Sequence, residues 1–277
     1  MRRNFNIRKK EMHTLNKKNL MLFIVFLIFL FFCILLNCSL ISNLNSVHAF
    51  AEYNQNFADL NDFIPFSVNK IVLHSSVTAN AKTVTFSLAN LDISNYCDIG
   101  IYLNSLNNAP TTSIKNLYIN NISIVAPQVG TPYLYKKKVT DLGECSFSED
   151  SIIQDSVNFN VVDFKNLNYD NYEIASDAST PISIGFYNKN IKEDYIAYLE
   201  DVSIDGTLLK NAMIPISDLY SKVSFTINII TNNDEHYICN ISFDIPLDDE
   251  DGNILYDNGY INKEINQNNI DKFIRIK

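Results

Sequence analysis

Apolar residues fall into two patterns along this chain, one unbroken run near the start and many short alternating runs after residue 65. Leu20 to Leu36 is a run of seventeen apolar residues without a charge. A helix of that length reaches about 25 Å, and continuing it to Ile41 approaches the roughly 30 Å of a bilayer core. The pattern therefore predicts a transmembrane anchor or signal h-region over residues 20–41. Residues 1–19 form a basic region, with Arg2, Arg3, Arg8, Lys9, Lys10, Lys17 and Lys18 against the single acid Glu11. Such an excess holds this end in the cytoplasm and sends everything after Ser42 outward. Val47-His48-Ala49 and Ala49-Phe50-Ala51 both satisfy the small-x-small cleavage pattern. Two fates follow: a single-pass membrane protein with its N-terminus inside, or a secreted or surface protein cleaved near Ala49 or Ala51.

Residues 42–65 read as a polar stalk ending at Pro65, after which period-two alternation takes over. Lys70 to His74, Thr83 to Leu88 (Val84, Phe86 and Leu88 on one side) and Cys97 to Leu103 each read as a strand. Lys115 to Val125 slips phase at Asn120-Asn121, which predicts a bulge or tight turn. Pro132 to Val139 reads as an edge strand that Lys136, Lys137 and Lys138 protect from unwanted pairing. Val157 to Phe164 is a further strand, and residues 166–180 read as a linker. Strands resume at Ile182 to Tyr187, Glu193 to Glu200 and Val202 to Leu209. The clearest hairpin sets Val223, Phe225, Ile227 and Ile229 against Tyr237, Cys239, Ile241, Phe243 and Ile245 across a TNNDE connection.

No stretch beyond the leader sustains helical periodicity, so the exported part is all-β. Short strands with turn signals every 8 to 12 residues or so point to sandwich architecture. An internal echo, Ile99-Gly100-Ile101-Tyr102 against Ile184-Gly185-Phe186-Tyr187, suggests duplication. The expected organisation is two tandem immunoglobulin-like β-sandwich domains, residues 66–165 and 181–277, with one larger β-sandwich as the alternative. This organisation resembles that of exported Gram-positive sandwich proteins, without a motif that fixes a family.

Charge narrows the partners. Residues 52–277 carry 15 basic and 30 acidic residues, a surface that repels phosphate backbones and anionic headgroups. Nucleic acid is therefore not expected. The remaining partners are the membrane, through residues 20–41, and an extracellular protein or glycan. Cys97, Cys145 and Cys239 allow at most one internal disulfide; Cys97 and Cys239 lie in phase with apolar neighbours and read as buried.

Motif chemistry is sparse. The glycines stand at 100, 130, 143, 185, 206, 252 and 259, so no pair has the spacing of GxGxxG, GxxxxGK or GxSxG. Phosphate-cradling loops and esterase elbows of those kinds are excluded. His74 and His236 lack HExxH or CxxC company, and Cys145 lies in a Gly-Glu-Cys-Ser turn without a supporting signature. Asp248, Asp249, Asp251 and Asp257 supply hard oxygens suited to calcium, though without EF-hand spacing. Tyr102, Tyr118, Tyr133, Tyr135, Tyr187, Tyr195 and Tyr198 offer an aromatic sheet face. The expectation is a non-enzymatic surface interaction or structural module without a cofactor. The alternatives are an exported hydrolase with an unrecognised site and a calcium-stabilised adhesin.

Overall fold

The computed structural model describes residues 64–105, 113–198, 200 and 202–276. The leader expected over 20–41, its flanking basic region and most of the stalk lie outside the described residues. Among the described residues, no helix is long and apolar enough to cross a membrane.

Among the described residues, twelve strands build two six-stranded sheets. In chain order they are β1 (Phe66–Thr85), β2 (Leu88–Ser105), β3 (Ile114–Val125), β4 (Thr131–Lys136), β5 (Ile152–Ile153), β6 (Val157–Val162), β7 (Glu173–Ala175), β8 (Ile182–Tyr198), β9 (Lys222–Thr231), β10 (His236–Asp244), β11 (Tyr260–Asn266) and β12 (Ile274–Ile276). Sheet 1 runs β11-β1-β2-β8-β4-β5 and sheet 2 runs β12-β10-β9-β3-β6-β7. Every pairing is antiparallel except that of β6 with β7.

The β9–β10 hairpin forms as its pattern dictates. Ile229 pairs with Tyr237, Ile227 with Cys239, Phe225 with Ile241 and Val223 with Phe243, all on one buried face. That face meets Phe66, Ile71, Leu73, Ile99, Ile101, Ile184 and Phe186 of sheet 1 in a single apolar cluster. Phe66 sets its ring edge-on to Tyr237 at 5.7 Å between centroids, bridging the sheets. The phase slip in β3 is a bulge, with a register shift between Asn120 and Ser123 and Asn121 at φ 53°. Cys97 and Cys239 are both buried free thiols.

Several expectations are corrected. Strands from 66–165 and 181–277 interleave in both sheets, because β8 lies between β2 and β4, and β9 between β10 and β3. The 166–180 segment therefore separates no pair of sandwiches, and residues 62–277 form one compact unit. The sequence echo joins antiparallel neighbours, with Ile99 opposite Ile184 and Asp98 opposite Gly185. Thr83–Leu88 is not one strand: Thr83–Thr85 end β1, the chain turns at Phe86 and Ser87, and Leu88 opens β2 and pairs with Thr85. Val202–Leu209 gives way to a five-residue helix, α1 (Thr207–Asn211), whose first amide is bound by the Asp205 carboxylate at 2.8 Å. Leu208 and Leu209 of α1, with Leu255 of α2 (Leu255–Asn258), pack on Val77, Ile93, Ile191 and Ile261 of sheet 1 as a second cluster.

Two outcomes follow from this arrangement. Interleaved strands unfold together, so thermal or urea denaturation of residues 62–277 should show one transition by tyrosine fluorescence and circular dichroism; two separated transitions would contradict it. Burial pushes the Cys97 and Cys239 thiols up to about 12 from an ordinary 9.0. The folded state thus holds these protons more tightly, and their stabilising contribution is complete below pH 9 and lost as pH rises toward 12. The fall should be about 1.4 kcal/mol per pH unit per thiol, and Cys97→Ala or Cys239→Ala should flatten it in a pH series of urea melts.

Candidate functional site

Alternation sends one set of side chains from each strand of sheet 1 away from the core. Cross-strand register aligns these into rows. One row reads Asn262, His74, Asp98, Gly185 and Tyr135 across β11, β1, β2, β8 and β4, and the next reads Tyr260, Ser76, Tyr96, Tyr187 and Tyr133. Residues 139–151 pass over part of this face. There Phe147 stacks on Tyr187 at 4.0 Å and meets Tyr135 edge-on at 5.5 Å. Tyr96, Tyr135, Tyr187, Phe147 and Cys145 make an aromatic cluster separate from the sandwich core.

Gly185 explains why the Tyr135 ring lies where it does. A Cβ on Gly185 would fall 2.2 Å from that ring, so β8 must be bare where Tyr135 crosses it.

Beside the aromatic cluster sits a buried ion pair. Lys137 Nζ stands 2.8 Å from Asp98 Oδ1, with side-chain exposures of 0% and 1%. The amide of Gly143 donates to Asp98 Oδ2 at 2.6 Å. Lys137 Nζ also donates to the Glu144 carbonyl and to Ser146 Oγ. Burial pushes the Asp98 carboxyl above its ordinary range, opposed by Lys137 and the Gly143 amide. A shallow cleft of about 60 Å³ opens next to Asp98, walled by Val72, His74 and Tyr102 on the sheet and by Leu142 and Gly143 above it.

Lys137 was expected to guard an edge alongside Lys136 and Lys138; the structure instead buries it. It follows Tyr133 and Tyr135 in phase, on the face that residues 139–151 cover. Sequence reasoning gave Lys137 only that edge role and did not single out Asp98 or Tyr96. Their common signal was position: Tyr96, Asp98, Gly100 and Tyr102 alternate opposite the apolar residues of β2, as Tyr133, Tyr135 and Lys137 do around β4.

The remaining candidates lie apart. Asp249 accepts from the amides of Asp251 and Asn253 at 3.0 and 2.8 Å and from Asn253 Nδ2 at 2.8 Å, closing its own turn. Asp257 pairs with Lys210 at 3.2 Å, and Asp248 lies 3.9 Å from Lys263. Among the described residues, no group of three or more His, Cys, Asp or Glu side chains is placed to hold a metal ion. His74 Nδ1 contacts Asn262 Oδ1 at 2.7 Å on sheet 1, whereas His236 Nε2 contacts Asn228 Oδ1 at 3.1 Å on sheet 2. Burial lowers the His236 pKa. Cys145 is a half-buried free thiol, its pKa raised by burial. Of the seven tyrosines anticipated as a sheet face, Tyr133, Tyr135 and Tyr187 do converge, while Tyr118 lies on sheet 2.

A second feature is apolar and exposed. At the β1–β2 turn Phe86 is 100% exposed and adopts φ 55°. Leu88, Ile196 and Tyr198 form an exposed apolar patch on one face beside it, with Tyr198 directly opposite Leu88, while Val84 is exposed on the other face.

Comparison with protein-family models, with curated proteins and with solved structures found no match.

Gly185→Ala should displace the Tyr135 ring and cost about 1–3 kcal/mol, the usual range for overpacking. Urea melts would measure the loss, and near-UV circular dichroism should report the disturbed tyrosine cluster. An unchanged melt would mean that the ring does not press on β8.

Proposed function

We propose that this chain is an exported or membrane-anchored extracellular β-sandwich protein that binds a partner at the cell surface without transforming it. The exposed apolar tip of the β1–β2 hairpin is the contact. Phe86 carries this reading. A left-handed backbone costs a non-glycine residue roughly 1–2 kcal/mol, and folding recovers none of that from a ring wholly in solvent. Strain and exposure at one bulky residue are the combination expected where selection acts on binding. Leu88 and Ile196, on one face beside it, are aliphatic, which suits a protein partner better than a glycan.

Connectivity supports the same assignment. The chain leaves its N-terminal segment at the Phe66 end of β1, and Phe86 stands after the far end of that 20-residue strand. At roughly 3.3 Å per residue the tip is about 60 Å along the strand from the Phe66 end of β1. The acidic surface, meanwhile, discourages contact with anionic lipid headgroups.

Phe86→Gly separates the two roles of this residue. Its melting temperature should equal or exceed that of the parent protein, because glycine relieves the strained φ, while capture of surface proteins by the full chain should fall at least tenfold. A photo-crosslinking residue at position 86 should label a surface protein that the same residue at Glu250 does not. Equal capture by the parent chain and Phe86→Gly would overturn the proposal, as would finding the mature chain in the cytosol by fractionation.

A further inference from the structure

We propose that Lys137 and Asp98 condense into an intramolecular amide, joining the end of β4 to β2 across β8. The geometry is that of reactants already assembled. Nζ and Oδ1 are 2.8 Å apart and both side chains are shut away from water, so neither the encounter nor the desolvation remains to be supplied. The strands on which they stand are held in register by β8, to which both β2 and β4 are paired.

The chemistry balances within the pair. A proton passes from Nζ to Oδ1, leaving a neutral amine beside a carboxylic acid, a conversion that a low-dielectric setting favours over a charged pair. The Nζ lone pair attacks Asp98 Cγ and the C–N bond forms. Negative charge moves to Oδ2, where the Gly143 amide donates at 2.6 Å, the placement of an oxyanion donor. Collapse restores the carbonyl and breaks the Cγ–Oδ1 bond. Oδ1 departs with the electron pair and a second proton from Nζ, as water. Nothing is oxidised or reduced. The cleft walled by Val72, His74, Asp98 and Leu142 is large enough for one or two waters, and gives the leaving molecule a route out.

The cradle fits the product as well as the reactants. The one hydrogen left on Nζ keeps the Glu144 carbonyl as acceptor, and the new carbonyl keeps the Gly143 donor. Closing the chain between positions 98 and 137 would restrict the unfolded ensemble as a disulfide does. No disulfide forms among the described cysteines, which are all free. The bond would suit a domain held at an exposed surface, but its presence does not depend on the role of the hairpin tip.

Peptide mapping of the full chain recovered from its host tests this directly. The expected result is a branched peptide joining the Lys137 and Asp98 segments, lighter than the two linear peptides together by the mass of one water, with no cleavage by trypsin after Lys137. Lys137→Arg should yield only linear peptides and migrate more slowly on a denaturing gel than the parent chain. Linear peptides carrying unmodified Lys137 and Asp98 in the parent protein would overturn the proposal. So would a water loss confined to the Asp98 peptide alone, which would instead mean a local succinimide.

Discussion

The position of β8 is the constraint on which both faces of sheet 1 depend. Its residues come late in the chain, yet they hydrogen-bond on one side to β2 and on the other to β4. Strict alternation then splits its side chains between two environments. Ile182, Ile184 and Phe186 enter the sandwich core, while Ser183, Gly185 and Tyr187 face outward beneath residues 139–151. A slip of one residue would exchange these sets, placing Gly185 in the core and Phe186 beneath Tyr135. Both outcomes are costly, so the core fixes the register and the register fixes the polar cluster.

The cluster is an expensive structure by itself. Taking an ammonium and a carboxylate out of water costs several kcal/mol for each, and their attraction offsets this only when the remaining donors and acceptors are met. Here most of them are: Lys137 donates to Glu144 and Ser146, and Asp98 Oδ2 accepts from the Gly143 amide, while Asp98 Oδ1 has the Lys137 charge alone. Three of those partners lie on the covering segment 139–151. The pair therefore does what an apolar plug would not, which is to tie an irregular segment of chain to a particular place on the sheet. The stacked Phe147–Tyr187 rings fasten its far end.

What the sequence disclosed follows from the range of each signal. Two-residue alternation is local, so β9 and β10, the bulge at Asn121 and the burial of Cys97 and Cys239 were all legible. Topology is not local: nothing in Ile182–Tyr198 announces that its neighbours are β2 and β4, and the repeated Ile-Gly pairs suggested duplication when they mark adjacent strands. The Phe86 turn escaped notice because Phe-Ser carries none of the Gly, Asn or Pro chemistry of tight turns, and Val84, Phe86 and Leu88 continue the alternation across it. α1 is too short to establish a helical period. Asp98 and Lys137 each look like a solvent-facing residue on a half-buried strand, and only the fold of residues 139–151 makes them interior.

Stiffness and exposure are arranged at different places in the molecule, and the division has a physical logic. Rings and an ion pair pin the covering segment where Tyr96, Tyr135 and Tyr187 meet, so that region has little freedom to open around a ligand; its cleft is only about 60 Å³. The hairpin tip shows the reverse: its backbone is strained at Phe86, and that ring is fully exposed. A contact surface at a tip needs a rigid base, because each degree of freedom left in the scaffold must be frozen on binding. The β1–β2 ladder supplies this base, with pairing unbroken from Phe66–Ser105 to Thr85–Leu88 apart from two bulges. The interior of sheet 1 is thus the mount, and the solvent-exposed turn is what it holds out.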